Sequence, residues 1–261
     1  MSTALAPPID WQTTWAALWR PHRQALRAAR HLDPIRLDQL LHVDRQKAAL
    51  CANTERFLAG QPANNALLWG ARGTGKSSLI KALLNAYAPQ GLRLVEIDKE
   101  DLFHLPEIID EIYDAPYRFI FFCDDLSFEA GERSYKALKS ILEGSIELPP
   151  ENVLVYATSN RRHLMPESMR DNQASELVEG ELHYADAIEE KISLSDRFGL
   201  WLSFYPASQA EYLAMVDSYF PHETHERDEL HRAALQFAQS KGGVRSGRTA
   251  KQFFNAWGRR H

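Results

Sequence analysis

The chain has 261 residues, and 35 acidic against 30 basic side chains leave a formal charge of −5. A chain of this length forms one large domain or two small ones and buries about 70–75 % of its unfolded surface. Its 44 % apolar and 25 % charged content excludes a mainly disordered chain. No apolar run exceeds five residues, as at 119–123, so membrane insertion is not expected. The first thirty residues carry four arginines but no apolar leader core, so no secretory signal is expected. Cys51 and Cys123 are the only cysteines, and Cys123 ends an apolar run. That usage fits a reducing, cytoplasmic setting better than a disulfide scaffold. The charge is uneven: residues 96–147 hold fourteen acids against five basic residues, and 167–196 hold nine against two. Residues 241–261 hold six basic residues and no acid, a candidate nucleic-acid surface.

In chain order, Trp11, Trp15 and Trp19 recur every fourth residue after Asp10, a plausible N-cap. This spacing predicts a short helical arm over 1–39, with Arg20, Arg23, Arg27 and Arg30 as a basic stripe behind it. From about residue 40 the pattern changes. Residues 41–59, 77–87 and 134–143 read as helices; 66–69, 92–97, 119–123, 153–158 and 199–205 read as short apolar strands. Continuous apolar strands alternating with helices predict a five-stranded parallel sheet covered on both faces. After Pro206 the pattern is purely helical, over 208–220, 226–240 and 246–259. The expected organisation is therefore an α/β nucleotide-binding core over 40–205 and a helical lid over 206–261.

The strongest local signal is Gly70-Ala71-Arg72-Gly73-Thr74-Gly75-Lys76-Ser77, followed by Ser78. It fits the phosphate-binding P-loop pattern in full, between a strand and a helix. Its glycines let successive N–H groups curl around a phosphate at the positive end of the helix. Lys76 is placed to reach the β- and γ-phosphates of ATP, and the Ser77 hydroxyl to ligate Mg²⁺. A second carboxylate source follows a neighbouring strand at Cys123-Asp124-Asp125. Asp124 is the natural Mg²⁺ partner, and either Asp125 or Glu129 is placed to orient an attacking water.

The order of P-loop strand, acidic strand and Val153-Leu154-Val155-Tyr156-Ala157-Thr158-Ser159-Asn160 resembles the AAA+ ATPase core. That resemblance implies ATP hydrolysis and gives Asn160 the role of the first sensor of the γ-phosphate. It gives Arg197, in Ser195-Asp196-Arg197-Phe198-Gly199, the role of an arginine finger offered to a second subunit of a homo-oligomer. Arg161 and Arg162 are the alternative fingers. Arg248, with Arg245 in reserve, takes the second sensor's place, and Val43 and Asp44 lie where the family cradles adenine. Four stretches resemble more closely the bacterial family catalogued as domain of unknown function 815. They are Pro62-Ala63-Asn64-Asn65, Cys123-Asp124-Asp125-Leu126-Ser127-Phe128, Thr158-Ser159-Asn160-Arg161-Arg162-His163 and Ser193 to Gly199. The implied client is an unknown protein. One departure stands out: most AAA+ enzymes carry Asp-Glu where this chain has Asp124-Asp125, and helicase-loader relatives share the shorter acid. A nucleotide-switch adaptor with little hydrolysis is therefore the alternative.

Other patterns are weaker. His222-Glu223-Thr224-His225 has metal-like spacing but follows Pro221 in a polar connector. After the second core strand, Asp98-Lys99-Glu100-Asp101-Leu102-Phe103-His104 holds three acids and no glycine, which counts against a pore loop that grips a threaded polymer.

Overall fold

The computed structural model describes residues 8–128, 133–143, 150–161, 164, 197–221 and 227–257. Among these, the strands are β1 Ala16–Arg20, β2 Ala25–Ala28, β3 Ala66–Gly70, β4 Leu92–Glu96, β5 Arg118–Cys123, β6 Val153–Ser159 and β7 Leu200–Phe204. They form one sheet in the order β2-β1-β4-β5-β6-β3-β7, parallel throughout except for the antiparallel β1–β2 pair. The helices are α1 Asp44–Leu58, α2 Lys76–Tyr87, α3 Leu105–Ile112 and α4 Arg133–Glu143, then α5 Gln209–Tyr219, α6 Arg227–Ser240 and α7 Gly247–Trp257. Among the described residues no helix is long and apolar enough to cross a membrane.

The alternation along β5 shows why its sequence is apolar without a break. Phe119, Phe121 and Cys123 join a core cluster with Ile108 and Ile112 of α3, while Ile120 and Phe122 join another with Leu79 and Leu83 of α2. Both faces are covered, so no position along the strand is left for a polar side chain. A third cluster, including Tyr212, Val216, Leu230, Ala234 and Phe253, holds α5, α6 and α7 together. Helix α5 opens with a capping box, in which Ser208 and Glu211 each accept from the other's backbone N–H.

Two expectations are corrected here. The sheet has seven strands rather than five, and the amino-terminal arm is a β-hairpin rather than a helix. Without β1, β4 would present an open row of backbone donors and acceptors at the sheet edge. The hairpin fills it: Ala16, Ala17 and Leu18 pair with Leu94, Val95 and Glu96, and Leu94 N donates to Trp15 O at 3.0 Å. The three tryptophans do not share a face. Trp19 is buried against the α3 side, Trp11 sets its ring edge-on to Phe119 with centroids 4.9 Å apart, and Trp15 is exposed. Buried Arg93 fastens the entry of the arm, donating from Nε to Trp11 O at 2.7 Å and from Nη1 to Ala88 O and Leu92 O.

A buried polar network ties α1 to β6. The Tyr156 hydroxyl accepts from Asn53 Nδ2 at 3.0 Å and lies 3.0 Å from Thr54 Oγ1, which itself donates to Leu50 O. Asn53 also bonds both backbone groups of Asn64. Tyr156→Phe therefore strips a partner from two buried groups. We expect it to cost about 1–2 kcal/mol in urea unfolding, lowering Tm by roughly 2–8 °C. A loss under about 0.5 kcal/mol would show that the three groups are not coupled.

Candidate nucleotide-binding site

The site begins where β3 presses against β7. A Cβ on Gly70 would lie 1.9 Å from Phe204 O, and its φ of +134° is open only to glycine. Ala71 N then donates to Phe204 O at 3.2 Å. From there the chain turns through Gly73 at φ +78° and Gly75 at φ +100°, and α2 starts at Lys76. Thr74 Oγ1 braces the turn on Ala71 O at 2.8 Å. The first N–H groups of α2, those of Lys76, Ser77 and Ser78, have no acceptor within the helix and face the turn.

Lys76 is folded back along the loop. Its Nζ donates to Gly70 O and Ala71 O, both at 2.8 Å, and to Asn160 Oδ1 at 3.3 Å. Burial lowers its pKa below the ordinary lysine value, and Arg248 and Arg72 add to that, while Asp124 and Asp125 act in the opposite sense. Ser77 Oγ donates to Asp124 Oδ1 at 2.6 Å, so α2 and the end of β5 meet through a hydroxyl and a carboxylate. Among the described residues no cluster of three or more His, Cys, Asp or Glu side chains surrounds a metal position. This donor set suits Mg²⁺, which is held by one or two protein oxygens and completes its shell with water and phosphate. Zinc, which needs three or four protein ligands, does not fit.

Thr158, which sequence reasoning passed over, organises both acids. Its hydroxyl donates to Asp124 Oδ1 and accepts from Asp125 N at 3.0 Å, while its carbonyl accepts from Leu126 N at 2.7 Å. The one signal available was a threonine after the apolar run 153–157, two residues before Asn160. The turn sets Asp125 at φ +55°, a left-handed conformation that few residues other than glycine adopt. Its carboxylate accepts from Asn160 Nδ2 and lies 3.8 Å from the Arg72 guanidinium. Arg72 and Asp125 are both largely exposed, so this pair adds little stability.

The carboxy-terminal helices close over the loop. A Cβ on Gly73 would lie 2.8 Å from Ser246 Oγ and 3.4 Å from Arg248 Cβ. Ser246 caps α7 by accepting from Thr249 N at 3.2 Å. Beside this contact is a cavity of about 210 Å³ walled by Leu41, His42 and Val43, by Thr74, by Tyr205 to Ala207, and by Met215 and Gly247. Gln46 fixes one wall through Nε2 to Ser203 O at 2.7 Å. Val43 is thus in the cavity wall. Asp44 is not; it is exposed and pairs with Lys47 at 3.1 Å.

The structure therefore brings Lys76, Ser77, Asp124, Asp125, Asn160 and Arg248 to one place. Arg197 lies elsewhere. Gly70 pairs with Phe204 at one end of β7, whereas Arg197 precedes Leu200 at the other end. Leu200 and Phe204 are about 13 Å apart along the strand. Arg161 is exposed beyond β6. Glu129, Arg162 and the His222 to His225 connector lie outside the described residues.

A family model described as "Protein of unknown function (DUF815)" matches residues 12–261. The chain belongs to this family. None of the curated proteins matches it. One similar solved structure is the Thermotoga maritima RuvB Holliday junction branch migration motor. The likeness has 12 % identity and a TM-score of 0.46, over 85 % of this chain and 72 % of that one. A likeness this distant transfers no activity.

Thr158→Val keeps the shape of the strand but strands the Asp125 N–H and removes a donor from Asp124. Since Thr158 is 1 % exposed, stability should fall by about 1–3 kcal/mol. Urea titration of the pure protein measures it; an unchanged midpoint would mean the turn is held by other contacts.

Proposed function

We propose that this chain is an AAA+-type P-loop protein that binds ATP with Mg²⁺ and hydrolyses it at sites shared between copies, acting on a protein client. One observation carries the reading: Lys76, the Ser77 hydroxyl and the Asp124 carboxylate converge at the start of α2. The order of the five core strands β4-β5-β6-β3-β7, with the P-loop strand between β6 and β7, supports it. The loop N–H groups and Lys76 would hold the phosphates, and the partly apolar cavity lined by Val43 and Met215 would take the base. Bound Mg²⁺ would supply charge neutralisation between the β- and γ-phosphates, held by Ser77 and Asp124. Asn160 bridges Lys76 and Asp125, which supports a role in sensing the γ-phosphate. Asp125 or Glu129 would accept the water's proton.

Arg197 precedes the end of β7 opposite its own P-loop, which supports its assignment to a neighbouring copy. A nucleotide-switch adaptor is the second reading, favoured by Asp125 being tied to Asn160 and Arg72 rather than open to water. The buried Cys123 and half-buried Cys51 thiols, both free, support a cytoplasmic setting. In the basic carboxy-terminal stretch Arg248 stands against the P-loop, and Lys241 lies 5.6 Å over the Phe237 ring. Among the described residues of that stretch, Arg245 and Lys251 are exposed.

Mg-ATP at a hundredfold excess over Kd should stabilise the protein by about 2.7 kcal/mol, roughly 5–11 °C in Tm. Lys76→Ala should abolish that shift, and a shift that survives removes the P-loop reading.

Arg197→Ala should leave the shift intact while hydrolysis falls by about 10³–10⁵. Mixing it with Lys76→Ala protein should restore turnover at interfaces that pair an intact P-loop with an intact finger. Unchanged hydrolysis in Arg197→Ala would exclude Arg197 as the finger and leave Arg161 or Arg162.

A further inference from the structure

We propose that the β1–β2 hairpin is a docking surface for the phosphate backbone of a nucleic acid strand, engaged by Arg23, Arg27 and Arg30 with Arg20 beside them. The proposal stands apart from the nucleotide site. Residues 11–32 contain these four arginines, His22 and His31, and no acid at all. The structure places Arg20 at the end of β1, Arg23 in the hairpin turn, Arg27 on β2 and Arg30 two residues beyond it, at the outermost strand pair of the sheet.

Within the hairpin, Trp19 opposite Leu26 faces the apolar core on the α3 side. Alternation then turns Arg20 and Arg27 together to the other face, as a diagonal cross-strand pair about 7–8 Å apart. Arg20, Arg23 and Arg30 are exposed, and none of the four arginines forms an ion pair among the described residues. Arg27 donates only to the neighbouring Ala28 carbonyl. Asp10 and Asp33 flank this stretch in sequence. Glu96 on β4 interacts at longer range with Arg20, and Asp101 in the turn after β4 with His22. The turn with Arg23 and the outer strand with Arg27 are left positive.

Charged side chains on an edge strand also deter edge-to-edge pairing, but either sign serves that purpose. Here every charge is positive, which is the footprint of a polyanion. The mounting is firm, since Trp19 is buried and β1 is hydrogen-bonded into the sheet, so the cations are presented on a rigid element. Because β1, β4, β5, β6 and β3 run parallel, the hairpin turn emerges at the same end of the strands as the P-loop. Four strand spacings, about 19 Å, separate β1 from β3.

Fluorescence anisotropy of a labelled oligothymidylate, and of a duplex of the same length, with the full chain tests this. We expect binding at low salt that weakens as salt rises, with a log–log slope near −2 for three phosphate contacts to a single strand. Arg23→Ala/Arg27→Ala/Arg30→Ala should bind at least about tenfold more weakly, while Lys241→Ala/Lys251→Ala should bind as the parent does. If the triple variant fails to fold by circular dichroism, Arg23→Glu in the exposed turn alone should still weaken binding severalfold. Absence of binding to either nucleic acid at low salt overturns the proposal. So does a loss of binding confined to the Lys241/Lys251 variant. Preferential binding of a poly-glutamate peptide would reassign the surface to an acidic protein.

Discussion

The close approach of Gly70 to the end of β7 is the constraint on which the site depends. Any side chain at residue 70 would collide with the Phe204 carbonyl, so β3 and β7 meet only because that position lacks a Cβ. The contact fixes where the P-loop leaves the sheet, and with it the start of α2 and the reach of Lys76 back across the loop. The same carbonyl receives the Ala71 N–H, so one peptide oxygen both limits and anchors the turn. The acids arrive from the other direction. On the neighbouring strand β6, Thr158 sets the turn after β5 and presents Asp124 to Ser77. The site is thus assembled from strand ends rather than from long loops, which makes its geometry a property of sheet register.

Most of the core was legible because its strands are buried on both faces. Such strands read as continuous apolar runs, and the runs at 66–69, 119–123 and 153–158 fall within β3, β5 and β6. The amino-terminal arm was not legible, for an instructive reason. Three tryptophans at a four-residue spacing suggest a helical face, yet each is used differently: one buried, one edge-on to Phe119, one exposed. What decides the conformation is the unpaired edge of β4, a tertiary demand that local spacing does not carry. The short helix α3 went unassigned too. It begins at Leu105-Pro106 beyond an acidic run, and its apolar residues Leu105, Ile108, Ile109 and Ile112 make a helical stripe only eight residues long.

The site was legible in proportion to how local its chemistry is. Gly70 to Ser77 is a contiguous pattern with one physical meaning, and Asp124 follows from needing a carboxylate on a neighbouring strand. The link between Asp125, Asn160 and Arg72 joins three distant segments, so no spacing predicts it. Thr158 looks like any strand threonine until the register places it beside the turn. Asp44 shows the converse: the family resemblance put it with Val43 at the adenine cradle, but successive residues at a helix start point in different directions, and Asp44 turns to Lys47.

The seating of α7 on the P-loop has a mechanical side. Ser246 and the first residues of α7 rest on Gly73, at the crest of the phosphate turn, while the far end of the helix, at Trp257, packs against Phe253 within the helical bundle. Eleven residues of helix span about 16 Å, so a tilt of about ten degrees at Ser246 would swing Trp257 by roughly 3 Å. Such a tilt would carry with it the aromatic cluster around Phe220 and Phe253, which joins α7 to α5 and α6. The packing thus links the crest of the phosphate turn, at Gly73, to all three carboxy-terminal helices.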